Sequence, residues 1–274
     1  MRSITAIIIR NLKNFYRDKL RFFSNILMGV LFLFIFSFVM KSAAIGMANP
    51  INYLISGIII MSVFQTALNN CMNIIEDIAS GFMREILVAP ISRWQISIGQ
   101  ILSASAIALL QGIIMVIIGL FMGLQIDALH FIEMIGVMIL VGIAFSSIGL
   151  YLATVAKNST TFQVLVFIFV MPLTFLSGAY IPTTAMPHFL LPLVYINPLT
   201  YTTSLFRYIS LKMEGLSAAQ LIEAGVAFDI QGVVIMPSFG LAMIAVVGVL
   251  FLALCVSRFN KADFSAVRVF EHHH

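Results

Sequence analysis

Charge is the scarcest thing in this sequence: Asp, Glu, Lys and Arg make up 9% of its 274 residues, against 61% hydrophobic. A soluble globular chain carries about 25% charged and roughly 45–50% apolar residues, so a water-soluble fold is excluded. Cysteine occurs twice. Cys71 and Cys255 fall near the same-side ends of apolar runs, a placement that suits small buried hydrophobes and argues against a disulfide or a metal pair. There is no Gly-Lys pair, hence no phosphate-binding loop of the G-x-x-x-x-G-K-S/T kind, and no H-E-x-x-H metal motif. His130 and His188 are too far apart in sequence to suggest a metal site. No Asp, Glu, Lys or Arg lies well inside an apolar run, which argues against a carrier driven by intramembrane carboxylates. No acid, base and nucleophile set is visible either, so the chain is expected to be no enzyme and to bind no cofactor. If it moves anything uphill, the energy has to come from another polypeptide.

What the sequence has is long apolar runs. Six are free of charge, at 22–40, 50–75, 94–126, 134–156, 158–206 and 230–257, and each supplies the roughly 20 residues a helix needs to cross about 30 Å of hydrocarbon. The expected fold is all-α and integral to a membrane, one domain over 1–270 with six spans at about 20–41, 51–74, 97–122, 133–156, 160–177 and 232–256. The last residues, 271–274 (EHHH), resemble the remnant of a purification tag. No A-x-A-like site follows the first run, so no cleavable leader is expected.

An even number of spans puts both termini on one side. That side then holds Arg2, Arg10, Lys13, Arg17, Lys19, Arg21, Arg84, Arg93, Lys157, Arg258, Lys261 and Arg268, leaving Lys41, Arg207 and Lys212 for the other. Twelve cations against three is a strong positive-inside bias, which predicts cytoplasmic termini. The net charge of +4 is thus a topology signal, and nucleic-acid binding does not follow from it.

Residues 3–19 bring Ile4, Ile7, Ile8, Leu12 and Phe15 to one helical side, as in a basic helix lying on the inner leaflet; a solvated basic terminus is the blander reading. In the second run, Ser62, Gln65, Thr66, Asn69 and Asn73 recur at helical spacing with Asn70 beside them. Polar groups in hydrocarbon have to face protein or water. Two readings stand: hydrogen bonds between helices at roughly 0.6 kcal/mol each, or the wall of a hydrated translocation path. Gly119-x-x-x-Gly123 and Gly142-x-x-x-Ser146, with Gly149, read as close-packing motifs. Lys157-Asn158-Ser159 makes a short turn, so spans four and five form a hairpin. Pro172 predicts a kink in span five. Pro182, Pro187, Pro192 and Pro198 then divide the next stretch into pieces too short to cross, read as external re-entrant helices, since irregular backbone at membrane depth is tolerated only against protein or a water-filled cavity. Ser217-x-x-Gln220 and Gly225 bracket a short external helix.

The charges that remain gather between runs two and three. From Asn73 to Gly99, Ile75, Ile78, Ala79, Phe82, Met83 and Ile86 make one apolar stripe of a helix, leaving Glu76, Asp77, Ser80, Gly81 and Arg84 opposite. Pro90 ends the pattern, and Ser92-x-x-Gln95 has the capping-box spacing that starts the next helix. A linker resting on lipid would account for Ile75 and Phe82 but not for the acid-rich opposite face.

The run Gly81-Phe-Met-Arg84-Glu85-Ile-Leu-Val-Ala-Pro90-Ile-Ser92-Arg93-Trp94 resembles the G-x-x-R-E-x-x-x-x-x-P-x-S-R region of the type-2 ATP-binding-cassette exporter permeases, the prokaryotic drug, polysaccharide and lipid exporters. Leu176-Ser177-Gly178-Ala-Tyr-Ile-Pro182 with Met186-Pro187, and Asn197-Pro198-Leu199-Thr200-Tyr201 followed by Arg207, resemble the family's outer segment. The resemblance covers nearly the whole chain. It implies a half-transporter: a homodimer in the prokaryotic inner membrane, with two separate ATPase subunits holding ATP and Mg on the cytoplasmic face. Residues 75–88 would be the coupling helix, with Glu76, Asp77, Ser80, Gly81, Arg84 and Glu85 at the ATPase contact and the N-terminal helix as a second contact. The path would run past Ser62, Gln65, Thr66, Asn69 and Asn73. The Phe-rich first and fifth spans suggest an amphiphilic cargo, drug-like, lipid or glycan. A stand-alone channel or lipid-scrambling protein is the competing expectation.

Overall fold

The computed structural model describes residues 2–42, 50–88, 91–230 and 232–261. Twelve α-helices run in order among them: α1 Arg2–Arg17, α2 Lys19–Ser42, α3 Pro50–Asn69, α4 Met72–Ala79, α5 Phe82–Val88, α6 Arg93–Phe121, α7 Ala128–Val155, α8 Ser159–Leu176, α9 Leu191–Ile196, α10 Pro198–Ser210, α11 Ala218–Glu223 and α12 Phe239–Lys261. Six helical segments are long and apolar enough to cross a membrane, α3 and α4 counting as one. The all-α six-span expectation therefore holds.

α3 is the axis of the bundle. Fourteen of its residues, from Tyr53 to Leu68, are buried, and it packs against α2, α6, α7 and α10. Lipid is as apolar as leucine, so helices in a membrane are held by close van der Waals approach at small residues. A Cβ on Gly142 of α7 would lie 2.5 Å from Ser105 Oγ of α6, and one on Gly149 would lie 2.9 Å from both Cys71 Sγ and Leu68 O. The Ser146 hydroxyl donates to Ile101 O at 3.2 Å, crossing from α7 to α6. The close-packing reading of this motif holds. In the other motif only Gly119 packs, its Cβ position 2.8 Å from Ile55 Cγ2; Gly123, with open space around it, instead closes α6 at a positive φ of 105°. Both cysteines are buried and free. The outward faces of α2, α8 and α12 stay apolar and exposed, with Phe34, Phe167 and Val249 each more than half accessible.

Several local signals are met. The Ser92 N–H donates to Gln95 Oε1 at 3.1 Å, and Asn158 caps α8 by accepting from Thr161 N at 2.7 Å, which closes the α7–α8 hairpin. α8 continues through Pro172. The proline-rich stretch forms two 3-10 turns, Thr183–Ala185 and His188–Leu190, before α9 and α10. α10 has thirteen residues, more than the sequence pieces suggested, and eleven of them are buried. α11 is capped by Ser217 and Gln220 as expected.

Three expectations need correction. The last span begins at Phe239 instead of 232, because β1 Phe228–Ile230 and β2 Val233–Ile235 pair antiparallel around Gly232. The Asp229 carboxylate accepts the Gly232 N–H at 2.9 Å and tightens that turn. Span four begins at Ala128, five residues early. The helix drawn over 75–88 is two helices, α4 and α5, broken at Gly81, whose φ of 79° suits glycine and no helix interior. Pro90, assigned the break, lies outside the described residues.

Candidate functional site

Arg21 fixes the end of α3. Its Nη2 donates to Asn69 O at 3.0 Å, where the helix carbonyls run out, and its Nη1 to Asn73 Oδ1 at 2.9 Å. The chain then turns into α4, which buries Ile74 and Ile75, while Met83 of α5 is buried in turn. The apolar stripe keeps its phase across the Gly81 break, except that Ala79, assigned to it, is exposed. Glu76, Ser80 and Glu85 are exposed, Gly81 is partly so, and Asp77 is half-buried. Arg84 lies in α5.

Asp77 is held by the N-terminal helix. Arg10 Nη2 lies 2.5 Å from Asp77 Oδ2, and the Arg10 guanidinium sits 4.7 Å from the centre of the Phe82 ring. One residue on, buried Asn11 donates to Gln100 Oε1 and Ser103 Oγ of α6, both at 2.7 Å. The apolar side of α1 therefore packs on α6, with Ile7 against Gly99, so the helix is docked on protein. α1, α4, α5 and α6 form one cross-braced unit, and Glu76 and Glu85 stay exposed on it. Arg10→Ala should leave the half-buried Asp77 carboxylate unpaired, at about 1–3 kcal/mol. The expected result is at least tenfold faster hydrogen exchange of the α1 amides, with α7 unchanged.

The polar stripe lines a cavity. Ser62, Gln65, Thr66 and Asn69 of α3 face Asn25, Met28, Gly29 and Phe32 of α2 across about 220 Å³. Asn73 is not in it, being engaged by Arg21. Ser62 bonds its own helix at Ile59 O, 2.7 Å, and among the described residues none of the four side chains hydrogen-bonds to another helix. Tyr180 covers one end of the cavity, stacked 5.4 Å from Phe32 and 4.9 Å from Phe36.

The sequence assigned Arg207 to the outer side without marking it as buried. Arg207 is 1% exposed inside the bundle. Its Nη2 donates to Gly178 O at 3.2 Å and to Tyr53 O and Ala179 O at 3.4 Å, and its guanidinium carbon is 3.3 Å from the Tyr53 ring centre. Thr200, Thr203, Ser204 and Arg207 recur at three- and four-residue spacing on α10, a periodic polar face that would have flagged it. A second cluster was also missed. His130 contacts Asp127 at 2.5 Å and Glu214 at 3.0 Å, and Lys212 meets Asp127 at 2.8 Å. Lys212, and after it His130, hold the Asp127 carboxyl down to about 2. His130, Glu133 and Glu214 each place one donor atom within 4.8 Å of the others, but both His130 ring nitrogens already face carboxylates, so the cluster is an ion-paired tie between the α6–α7 turn and the segment after α10.

The model of a protein family described as "ABC-2 type transporter" matches residues 2–211. The chain is 27% identical over 213 residues to the ycf38 transport permease of Cyanophora paradoxa, covering 76% of this chain and 73% of that one. It is 30% identical over 146 residues to YbhR of Escherichia coli K12, named a multidrug ABC transporter permease, covering 52% of this chain and 38% of YbhR. It is 30% identical over 165 residues to the inner membrane transport permease YadH of the same organism, 57% of this chain and 61% of YadH.

Proposed function

The chain belongs to the ABC-2 type transporter family, which makes it a transmembrane subunit of an ABC transporter, and from that premise we propose that it is the permease of an ATP-driven exporter. Two copies form the membrane unit, and each engages an ATPase subunit that brings ATP and Mg. Both termini face the cytoplasm of a prokaryotic cell, as the twelve-to-three distribution of Lys and Arg supports.

One observation carries the reading: the exposed carboxylates Glu76 and Glu85 stand on a short helix pair braced at both ends, through α3 and Arg21 on one side and α1 and Arg10 on the other. A solvated linker has no need of bracing. A lever that passes the closure of an ATPase dimer to the spans does, since its displacement reaches α3 and α6 only if it moves as a rigid body. Glu76, Ser80, Gly81, Arg84 and Glu85 make the contact; Asp77 acts from behind, by fixing the lever to α1.

The substrate passes along the α2–α3 cavity. Its wall combines the Ser62, Gln65, Thr66 and Asn69 side with the Phe32 and Tyr180 rings, a pairing that suits an amphiphile. At about 220 Å³ it is below the roughly 300–1,000 Å³ of a complete ligand site, and the second copy across the dimer axis completes it.

The experiment is charge reversal at Glu76→Lys with Glu85→Lys, both exposed and, among the described residues, without a hydrogen-bond or ion-pair partner. Co-purification with the ATPase is expected to fall at least tenfold, with the thermal midpoint unchanged. Undiminished ATPase binding with intact transport overturns the reading, and ion conduction or lipid scrambling by the purified chain alone would establish the stand-alone alternative.

A further inference from the structure

We propose that Arg21 is a positioning residue for transport: it latches the α4 end of the α2–α3 cavity and passes the displacement of α4 on to α2. The second role rests on the exporter reading; the first does not.

The chain breaks between α1 and α2 at Asp18, whose carboxylate accepts the Arg21 N–H at 3.1 Å and so fixes where Arg21 leaves the first turn of α2. Its guanidinium then spans a second break, in the facing segment. α3 stops at Asn69 and α4 starts at Met72. Arg21 holds one residue on each side, Asn69 O at 3.0 Å and Asn73 Oδ1 at 2.9 Å. The guanidinium fork has a rigid donor geometry, so a turn of α4 about residues 70–71 either breaks one bond or pulls on α2. A cation kept only for the positive-inside bias would have no use for two neutral acceptors on opposite sides of a helix break.

The helix that Arg21 holds is free to respond. Ser24 and Ser37 hydrogen-bond within α2, and among the described residues the side-chain hydrogen bonds that leave α2 are those of Arg21. Phe22 rests edge-on against Phe15 of α1, 5.7 Å between ring centres, a non-directional apolar contact that slides where a hydrogen bond would break. Midway along α2, Gly29 lies against Met115 of α6, its Cβ position 2.8 Å from Met115 Cε; beyond it Phe32 and Phe36 stack on Tyr180. Gly29 is thus the pivot, and Arg21, about 12 Å away along the helix axis, is the handle. Asn25 lies between them and lines the cavity opposite Gln65 and Asn69. Drawing Arg21 away from Asn69 therefore widens the cavity at the α4 end while Tyr180 still covers the other.

The test uses the full chain in lipid nanodiscs with Gln65→Cys in the cavity wall, and follows modification of that thiol by a small methanethiosulfonate. Cys71 and Cys255, both buried, supply the background rate. Without any ATPase, Arg21→Gln is expected to speed the modification about tenfold or more, the effect of losing one charged hydrogen bond. Arg21→Lys keeps the charge but not the fork and should move the rate in the same direction, so it decides the point if Arg21→Gln inserts poorly. Rates equal to the parent's in both variants overturn the latch. Asn73→Ala spares the Asn69 bond, so its resting rate should match the parent's. In complex with the co-purified ATPase, ATP with Mg is expected to change the parent's rate. Asn73→Ala should lose that response while its ATPase co-purification and thermal midpoint stay unchanged, which a merely structural role would not produce. An undiminished response in Asn73→Ala overturns the transmission to α2. A parent that binds the ATPase and yet ignores ATP counts against the exporter reading instead, and the ATPase-free rates still decide the latch.

Discussion

Arg207→Ala is expected to be the most damaging single substitution in this chain, destabilising it by about 3–5 kcal/mol, the range for removing one partner from a buried charged network. Three carbonyls, from Tyr53, Gly178 and Ala179, lose their donor at once. One belongs to α3 and two to the turn after α8, so the guanidinium ties α10 to both. A large buried side chain is also deleted from a site that is 1% exposed, which adds a cavity cost. Arg207→Met separates the two terms: it restores most of the volume but not the donors, and should cost about 1–3 kcal/mol for the Gly178 and Ala179 carbonyls left unpaired, since Tyr53 O keeps the Ser56 hydroxyl at 3.2 Å. The measurement is thermal unfolding of the purified protein in nanodiscs, with membrane-inserted yield as a second readout. If Arg207→Ala melts with the parent, the guanidinium does not hold this junction together. If Arg207→Met proves the more stable protein, as can happen when a buried ion is replaced by a well-packed hydrophobe, the charge is retained for something other than folding.

That the junction could not be foreseen shows where the sequence stops informing. Hydropathy is a local property, so the six spans, the capped start of α6 and the α7–α8 hairpin were all legible, each resting on residues within about thirty positions. The polar stripe was legible too, because Ser62, Gln65, Thr66 and Asn69 share one face of one helix. Asn73 has the same spacing yet left the stripe, because α3 ends at Asn69 and Arg21 claims it. The Gly81 break hid behind a stripe that keeps phase through it. Val233, Val234 and Ile235 extended an apolar run backwards into the last span, although they form a strand; Gly232 and Pro237 were the only local hints. Contacts between distant positions left no trace at all. Arg10 and Asp77 are 67 residues apart, and His130 and Glu214 are 84 apart; only folding brings either pair together. The burial of Arg207 was hidden for a related reason: it depends on carbonyls from α3 and the turn after α8.

Gly57→Ala is the second large effect expected, and it acts at the same junction from the opposite side. A Cβ there would lie 2.4 Å from Ala179 O and 3.1 Å from both Ala179 C and Cα. All three are backbone atoms, so no flexible side chain can swing aside. The turn itself cannot give easily, since Ala179 is fully buried and its carbonyl is held by Arg207. Overpacking a core costs about 1–3 kcal/mol where side chains adjust, and the upper end or more is expected here. Gly136→Ala on α7 is the matched control: nothing lies within 4 Å of its Cβ position, so alanine should be neutral or stabilising by up to about 1 kcal/mol through better helix propensity. The two alanines thus have opposite expected signs in the same thermal-unfolding measurement, and equal midpoints would refute the close approach. The consequence reaches past stability. Residue 180, next in the displaced turn, is the tyrosine stacked on Phe32 and Phe36 at one end of the α2–α3 cavity. Any Gly57→Ala protein that does fold must move this ring, so it should show altered transport even at temperatures where it remains folded, whereas Gly136→Ala should transport as the parent does.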